Sequence, residues 1–158
     1  MEDIVYVDES GMNDNDHYAY AYCKQGERYY SSFPGHYKKR ISMIAGLCDK
    51  DIQSPFMFEG HCNTELFELY LEKVLLPNLK KGNVIILDNA SFHKSAKINE
   101  LVKAAGCTIK YLPPYSPDLN LIEHYWHKLK TCIRKLIRDG KFTLFDAMSK
   151  ILKEVSVC

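Results

Sequence analysis

Apolar and polar positions alternate with a short period over the first third of the chain and with a helical period over much of the rest. Residues 4–10 (IVYVDES) form a β-type run that closes on acidic and turn residues, which puts Asp8 at a strand end and the following GMNDND cluster in a loop. Tyr18–Cys23 (YAYAYC) alternates aromatic and small residues, the chain turns near Gly26, and Arg28–Phe33 returns as a hairpin partner. Ile41–Leu47 (ISMIAGL) suits a buried strand, and a shorter strand over Pro55–Glu59 follows.

From Thr64 the period changes. Leu66, Phe67, Tyr70, Leu71, Val74 and Leu75 recur at three- and four-residue steps, with Thr64 as N-cap and Pro77 as the stop. Val84–Leu87 (VIIL) is short and apolar on both faces, as in a central parallel strand, and Asp88 closes it. An amphipathic helix over Ser95–Ala105 ends at Gly106, a strand covers Thr108–Leu112, and Pro113–Pro114 breaks the chain. A long helix is expected from near Asp118, with Leu119, Ile122, Trp126, Leu129, Ile133 and Leu136 as its apolar stripe and Gly140 as its end; Thr143–Val155 is the last helix. Antiparallel strands followed by strand–helix alternation predict an α/β fold, a mixed β-sheet flanked by α-helices.

The 158 residues fit one domain, 1–158, without repeat, linker or low-complexity segment. Apolar residues at 46% and charged residues at 26% exclude a disordered or fibrous chain. Six cysteines without a CxxC pair, in a sequence without a signal peptide, read as reduced thiols of a cytoplasmic protein. No apolar run reaches the roughly 20 residues needed to cross a bilayer, so no membrane is expected. The net charge of +1 hides an asymmetry. Residues 1–79 hold 7 Lys/Arg against 13 Asp/Glu and residues 80–158 hold 14 against 7, which makes the second half the place for a polyanion.

Asp8, Asp88 and Glu123 stand out, because strand ends and the first turn of a helix aim side chains into a common crevice. Neighbouring carboxylates repel unless a cation lies between them. Oxygen ligands without a cysteine or histidine cluster favour Mg²⁺ or Mn²⁺ over zinc. Two such ions about 3.5–4 Å apart can activate an attacking oxygen and stabilise a leaving oxygen in an in-line displacement at phosphorus. Taken singly, each residue has a plainer reading: Asp8 as a turn-former, Asp88 as a strand exit, Glu123 as a solvated first-turn residue.

The contexts of the three join them. VDES at 7–10, LDNASFHKS at 87–95 and LPPYSPDLNLIEHYW at 112–126 resemble the bacterial insertion-sequence transposases related to mariner elements, within the DDE superfamily. The resemblance covers nearly the whole chain, and the last motif is its most specific carrier. The 34 residues between Asp88 and Glu123 also resemble this branch. The resemblance implies a ribonuclease H-like fold, Asp8, Asp88 and Glu123 as catalytic and metal-binding triad with Mg²⁺, and DNA as substrate. It further implies cleavage at an element end by water, then attack of the freed 3′-hydroxyl on target DNA, by a homodimer on DNA in the cytoplasm at the nucleoid. Relatives carry helix-turn-helix modules ahead of the first catalytic strand. Here the sequence opens shortly before Asp8, so element-end recognition is expected from a separately encoded polypeptide or frame.

Narrower roles attach to other residues. His93 is a candidate to orient a water or contact the scissile phosphate, or else a backbone-bonded helix-entry histidine. Asn89 is read as stiffening the Asp88 loop, and Pro113, Pro114 and Pro117 as fixing the approach to the Glu123 helix. His127, Lys130, Arg134 and Arg138 follow Glu123 at three- or four-residue steps and are candidate DNA-backbone contacts. Two further readings stay open, a catalytically idle transposon-derived remnant that at most binds DNA and a ribonuclease H-like nuclease or resolvase.

Overall fold

Strand β1 runs through Ile4–Asn13, longer than its apolar run, and pairs on its two sides with different partners. A computed structural model of the chain describes residues 4–13, 39–114, 116–140 and 142–155; the hairpin expected over Tyr18–Cys23 and Arg28–Phe33 lies outside them. The elements that follow are β2 (Arg40–Cys48), β3 (Asp51–Glu59), α1 (Thr64–Tyr70), β4 (Val84–Leu87), α2 (Ala96–Ala104), β5 (Thr108–Tyr111), α3 (Ile122–Arg138) and α4 (Leu144–Val155). Five strands form one mixed sheet in the order β3-β2-β1-β4-β5. β1 is antiparallel to β2 and parallel to β4, and β4 is parallel to β5.

This pairing corrects two expectations. Asp8 lies in the middle of β1, opposite Ala45 of β2, and Gly11–Asn13 continue the strand rather than opening a loop. The antiparallel ladder with β2 carries on to Asn13 opposite Arg40, so tertiary pairing holds a polar segment that local composition assigns to a turn. β3 likewise begins earlier than Pro55. The register shifts between Ile44 and Gly46, and Ser54 takes a positive φ of 51°, a bulge that admits Pro55 on an edge strand.

Helix starts follow their caps. Asn63, rather than Thr64, caps α1 by accepting the Leu66 N–H at 2.8 Å. The helical path runs on from α1 as a π-type turn over Leu71–Leu75 and a 3₁₀ turn over Leu76–Asn78. Pro77 falls inside that last turn, and without an N–H it cannot continue the α-ladder. Ser95 caps α2 through the Ile98 N–H, and Gly106 with φ 73° lets the chain leave it. Thr143 caps α4 by accepting the Asp146 N–H at 3.2 Å.

Apolar side chains from the two sheet faces build two cores. Val5, Val7, Ile44, Ile85 and Leu87 pack with Phe67, Tyr70, Leu71 and Leu75 and with Ile98 and Val102 of α2. Met12, Ile41, Met43, Ala45 and Leu47 pack with Ile122, Trp126, Leu129 and Ile133 of α3 and with Leu144, Ala147, Met148 and Leu152 of α4. Each buried side chain of this size contributes about 1.5–3 kcal/mol. Asp8 follows Tyr6 and precedes Ser10 and Met12 on the alternating set, so it faces α3.

Candidate active site

The cleft forms where β4 ends and β1 does not. The parallel pairing of β1 with β4 stops at Tyr6 opposite Ile86, and Asp8 and Asp88 each follow two residues later. On neighbouring strands about 4.8 Å apart, that register sets the two backbones side by side. Beyond β4 the ladder to β5 continues by one bond, Leu112 N–H to the Leu87 carbonyl at 2.8 Å, which lays Leu112–Pro114 over the Asp88 side. The result is a cleft of about 440 Å³ lined by Asp8, Asp88, Asn89, Ala90, Leu112, Pro113, Pro114, Ser116, Asn120 and Glu123.

Glu123 reaches the cleft from the first turn of α3. The expected helix start near Asp118 is corrected here. Pro117–Leu119 make a separate 3₁₀ turn, Leu119 points outward, and α3 begins at Ile122. The apolar stripe therefore begins at Ile122, and the positive end of the helix dipole falls beside Glu123.

The three carboxylates have different surroundings. Asp8 is only 8% exposed, and its Oδ2 accepts the indole N–H of Trp126 at 3.2 Å. Burial, then the charges of Glu123 and Asp88, push its carboxyl up to about 7, against the pull of the Glu9 backbone N–H and the Trp126 indole. Asp88 is half-exposed, and its Oδ1 accepts His93 Nδ1 at 2.6 Å and the Ala90 N–H at 3.1 Å. The hydrogen bond from His93 holds its carboxyl below the usual range despite partial burial. Glu123 is exposed.

His93 is 1% exposed and stands behind Asp88, outside the cleft lining. Its ring lies 4.2 Å, centroid to centroid, from both Phe67 and Phe92. Asn89, Pro113 and Pro114 line the cleft itself. His127 and Arg138 are exposed on α3, while Lys130 and Arg134 are half-buried. Sequence reasoning missed Asn120, which is buried and cleft-lining with its Oδ1 unpartnered. Its position three residues before Glu123 inside the most specific motif was the available signal. It also missed the polar half of Trp126, which reads from spacing as core alone.

The donor set suits a hard divalent cation, because every candidate ligand is a carboxylate oxygen and a cation would offset the burial and the neighbouring charge that raise Asp8. Asp8 is the common member, under the charge of both Glu123 and Asp88. Among the described residues, no three His, Cys, Asp or Glu side chains close around a single ion. One oxygen of Asp88 is turned to His93 and one of Asp8 to Trp126. Among the described residues no helix is long and apolar enough to cross a membrane.

Comparison with solved structures places the same sheet and helices in three assemblies. The Mos1 strand transfer complex is 14% identical with a TM-score of 0.67, over 95% of this chain and 51% of that one. A pre-cleavage Mos1 transpososome is also 14% identical, with a TM-score of 0.64 over 95% and 52%. The simian T-cell lymphotropic virus intasome in complex with a PP2A regulatory subunit is 15% identical, with a TM-score of 0.59 over 94% and 46%. These likenesses show the ribonuclease H-like fold, and the chain spans about half the length of each matched structure. No curated protein matches the sequence. A family model described as DDE superfamily endonuclease matches residues 3–142, nearly the whole chain, and to that family the chain belongs.

Proposed function

We propose that residues 1–158 form a single catalytic domain of a DNA transposase, a divalent-ion-dependent endonuclease and strand transferase with Asp8, Asp88 and Glu123 as its catalytic and metal-binding carboxylates. The observation that carries this reading is the shared cleft, in which β1, the end of β4 and the first turn of α3 each present one carboxylate. Two solved Mos1 mariner paired-end complexes at 15% identity are described with Mn and with Mg, which supports the same ion class here. Bound Mg²⁺ or Mn²⁺, two ions in this reading, would supply Lewis-acid activation of an attacking oxygen and neutralise charge at the phosphate.

In the first step, water oxygen bonds to phosphorus at an element end and the 3′ oxygen leaves as a hydroxyl. In the second, that hydroxyl attacks a target phosphodiester, one P–O bond forming as another breaks. The hydrolysis is downhill and the second transfer exchanges one phosphodiester for another, so no nucleotide cofactor is required. The open cleft admits a phosphodiester, and Pro113 and Pro114 give it a rigid wall. His127, Lys130, Arg134 and Arg138 of α3 are assigned to the DNA backbone leading into it. The Mos1 neighbours are paired-end and strand transfer complexes, which supports DNA ends and target as partners and a homodimer on DNA. Element-end recognition is assigned to helix-turn-helix elements outside residues 1–158.

A second reading, an idle remnant that at most binds DNA, draws on the absence of a three-ligand cluster among the described residues. Nicking of supercoiled plasmid separates the two. The transposase reading expects nicking with Mg²⁺ or Mn²⁺ that Asp88→Asn abolishes. No cleavage with either ion supports the remnant, and preference for RNA–DNA hybrid or four-way junctions over element-end duplex supports a ribonuclease H or resolvase instead.

A further inference from the structure

Both strand aspartates are tied on one oxygen to an aromatic N–H that comes from the protein interior. Asp88 Oδ1 takes His93 Nδ1 at 2.6 Å, and Asp8 Oδ2 takes the Trp126 indole at 3.2 Å. A carboxylate accepts only, so Nδ1 carries the proton in the first bond. Neither donor has room to turn away. The His93 ring is clamped by Phe67 and Phe92, and its backbone carbonyl accepts the Tyr111 hydroxyl of β5 at 2.8 Å. Its Nε2 is buried without a partner, so Asp88 is the ring's polar contact among the described residues. Trp126 is fully buried among the side chains that join α3 to the sheet.

We propose that His93 and Trp126 are positioning residues that fix the orientation of Asp88 and Asp8 by a hydrogen bond to one oxygen each, so that each aspartate presents its remaining oxygen to a divalent ion. The inference rests on the reading of these carboxylates as ion ligands. Turning either aspartate away from its donor would strand a buried N–H without an acceptor, which the interior penalises. A lone aspartate side chain turns freely about its last torsion, and a fixed donor removes that freedom before the ion arrives. Donors behind metal ligands set ligand orientation, and their loss commonly weakens metal binding by about 10–100-fold.

The test is Mn²⁺ binding to the full 158-residue chain by calorimetry, with the metal-free unfolding midpoint measured alongside. His93→Leu keeps an apolar body between the phenylalanines and removes the donor; it should weaken Mn²⁺ about tenfold or more. His93→Asn, whose amide N–H stands near the place of Nδ1, should restore most of that affinity. Should the His93 variants fail to fold, the Asp8 side is tested separately. Trp126 is the chain's single tryptophan, so benzothienylalanine can replace it throughout, keeping the ring shape without the N–H. Weaker Mn²⁺ binding in that protein supports the proposal. Variants that fold and bind Mn²⁺ as the wild type does, or His93→Asn binding as weakly as His93→Leu, overturn it and leave the metal reading standing. A wild-type chain that binds no Mn²⁺ overturns the metal reading and this proposal with it.

Discussion

The indole N–H of Trp126 is hydrogen-bonded to Asp8 Oδ2 at 3.2 Å across 118 residues of chain. Glu123 stands three residues before Trp126 on α3, and positions so spaced lie along one side of a helix. Docking Trp126 under Asp8 therefore also delivers Glu123 to the cleft, close enough for its charge to raise the Asp8 carboxyl. One core side chain sets the separation of two candidate ligands.

The buried Asp8 should make the metal-free domain lose stability as pH rises. Its folded value near 7 lies above the unfolded 3.8, so the folded state holds the proton more tightly. Stability is then fullest below about pH 4 and falls until pH passes about 7, with roughly 4 kcal/mol as the ceiling. Asp8→Asn removes this penalty. In EDTA its unfolding midpoint should match wild type near pH 4 and exceed it above pH 7, while Mg²⁺ should raise the midpoint of wild type alone. A gain that does not vary with pH would falsify the assignment.

Glu123→Gln should separate activity from stability in the opposite way. Glu123 is exposed, so its loss relieves no burial; it removes at most about 1 kcal/mol of favourable interaction with the helix dipole, offset by relief of its repulsion with Asp8. Plasmid nicking should nevertheless fall by about a hundredfold or more, near 3 kcal/mol in barrier. Thermal unfolding and nicking measured on one preparation decide it; retained nicking removes Glu123 from the triad.

Among the described residues the order of the elements, the parallel placement of Val84–Leu87 and the grouping of Asp8, Asp88 and Glu123 around one cleft were legible in the sequence, because each rests on local period or on motif. What was not legible depends on contacts distant along the chain. Asp8 read as a strand end since nothing local announces that β2 will pair with Gly11–Asn13. The start of α3 was misplaced because Leu119 fits the stripe by spacing, yet the 3₁₀ turn at Pro117–Leu119 points it outward. His93 gave no sign of standing behind Asp88, a placement made by Phe67, Phe92 and Tyr111 together.

That misplaced stripe yields a paired mutational test. Ile133 is fully buried in the α3–α4 core, and Ile133→Ala should cost about 2–5 kcal/mol by lost burial and a residual cavity. Leu119→Ala should change stability by less than about 0.5 kcal/mol, because the side chain is already exposed. Urea denaturation of the two variants measures both, and a large loss at Leu119 would show that the helix begins earlier.

Salt dependence tests the assignment of α3 to the DNA backbone. Each phosphate neutralised by a cationic side chain releases condensed counterions, so the slope of log K against log salt reports the number of contacts. Arg138 is exposed near the end of α3, four residues beyond Arg134 and on the same side. Arg138→Ala should reduce that slope by about 0.9 on duplex DNA and weaken binding alike for unrelated sequences, since phosphate contacts carry no base information. A replacement that alters affinity for one sequence only would point to base readout. A slope that does not move would place the DNA path on another face of the domain, and with it the route by which a phosphodiester reaches Asp8 and Asp88.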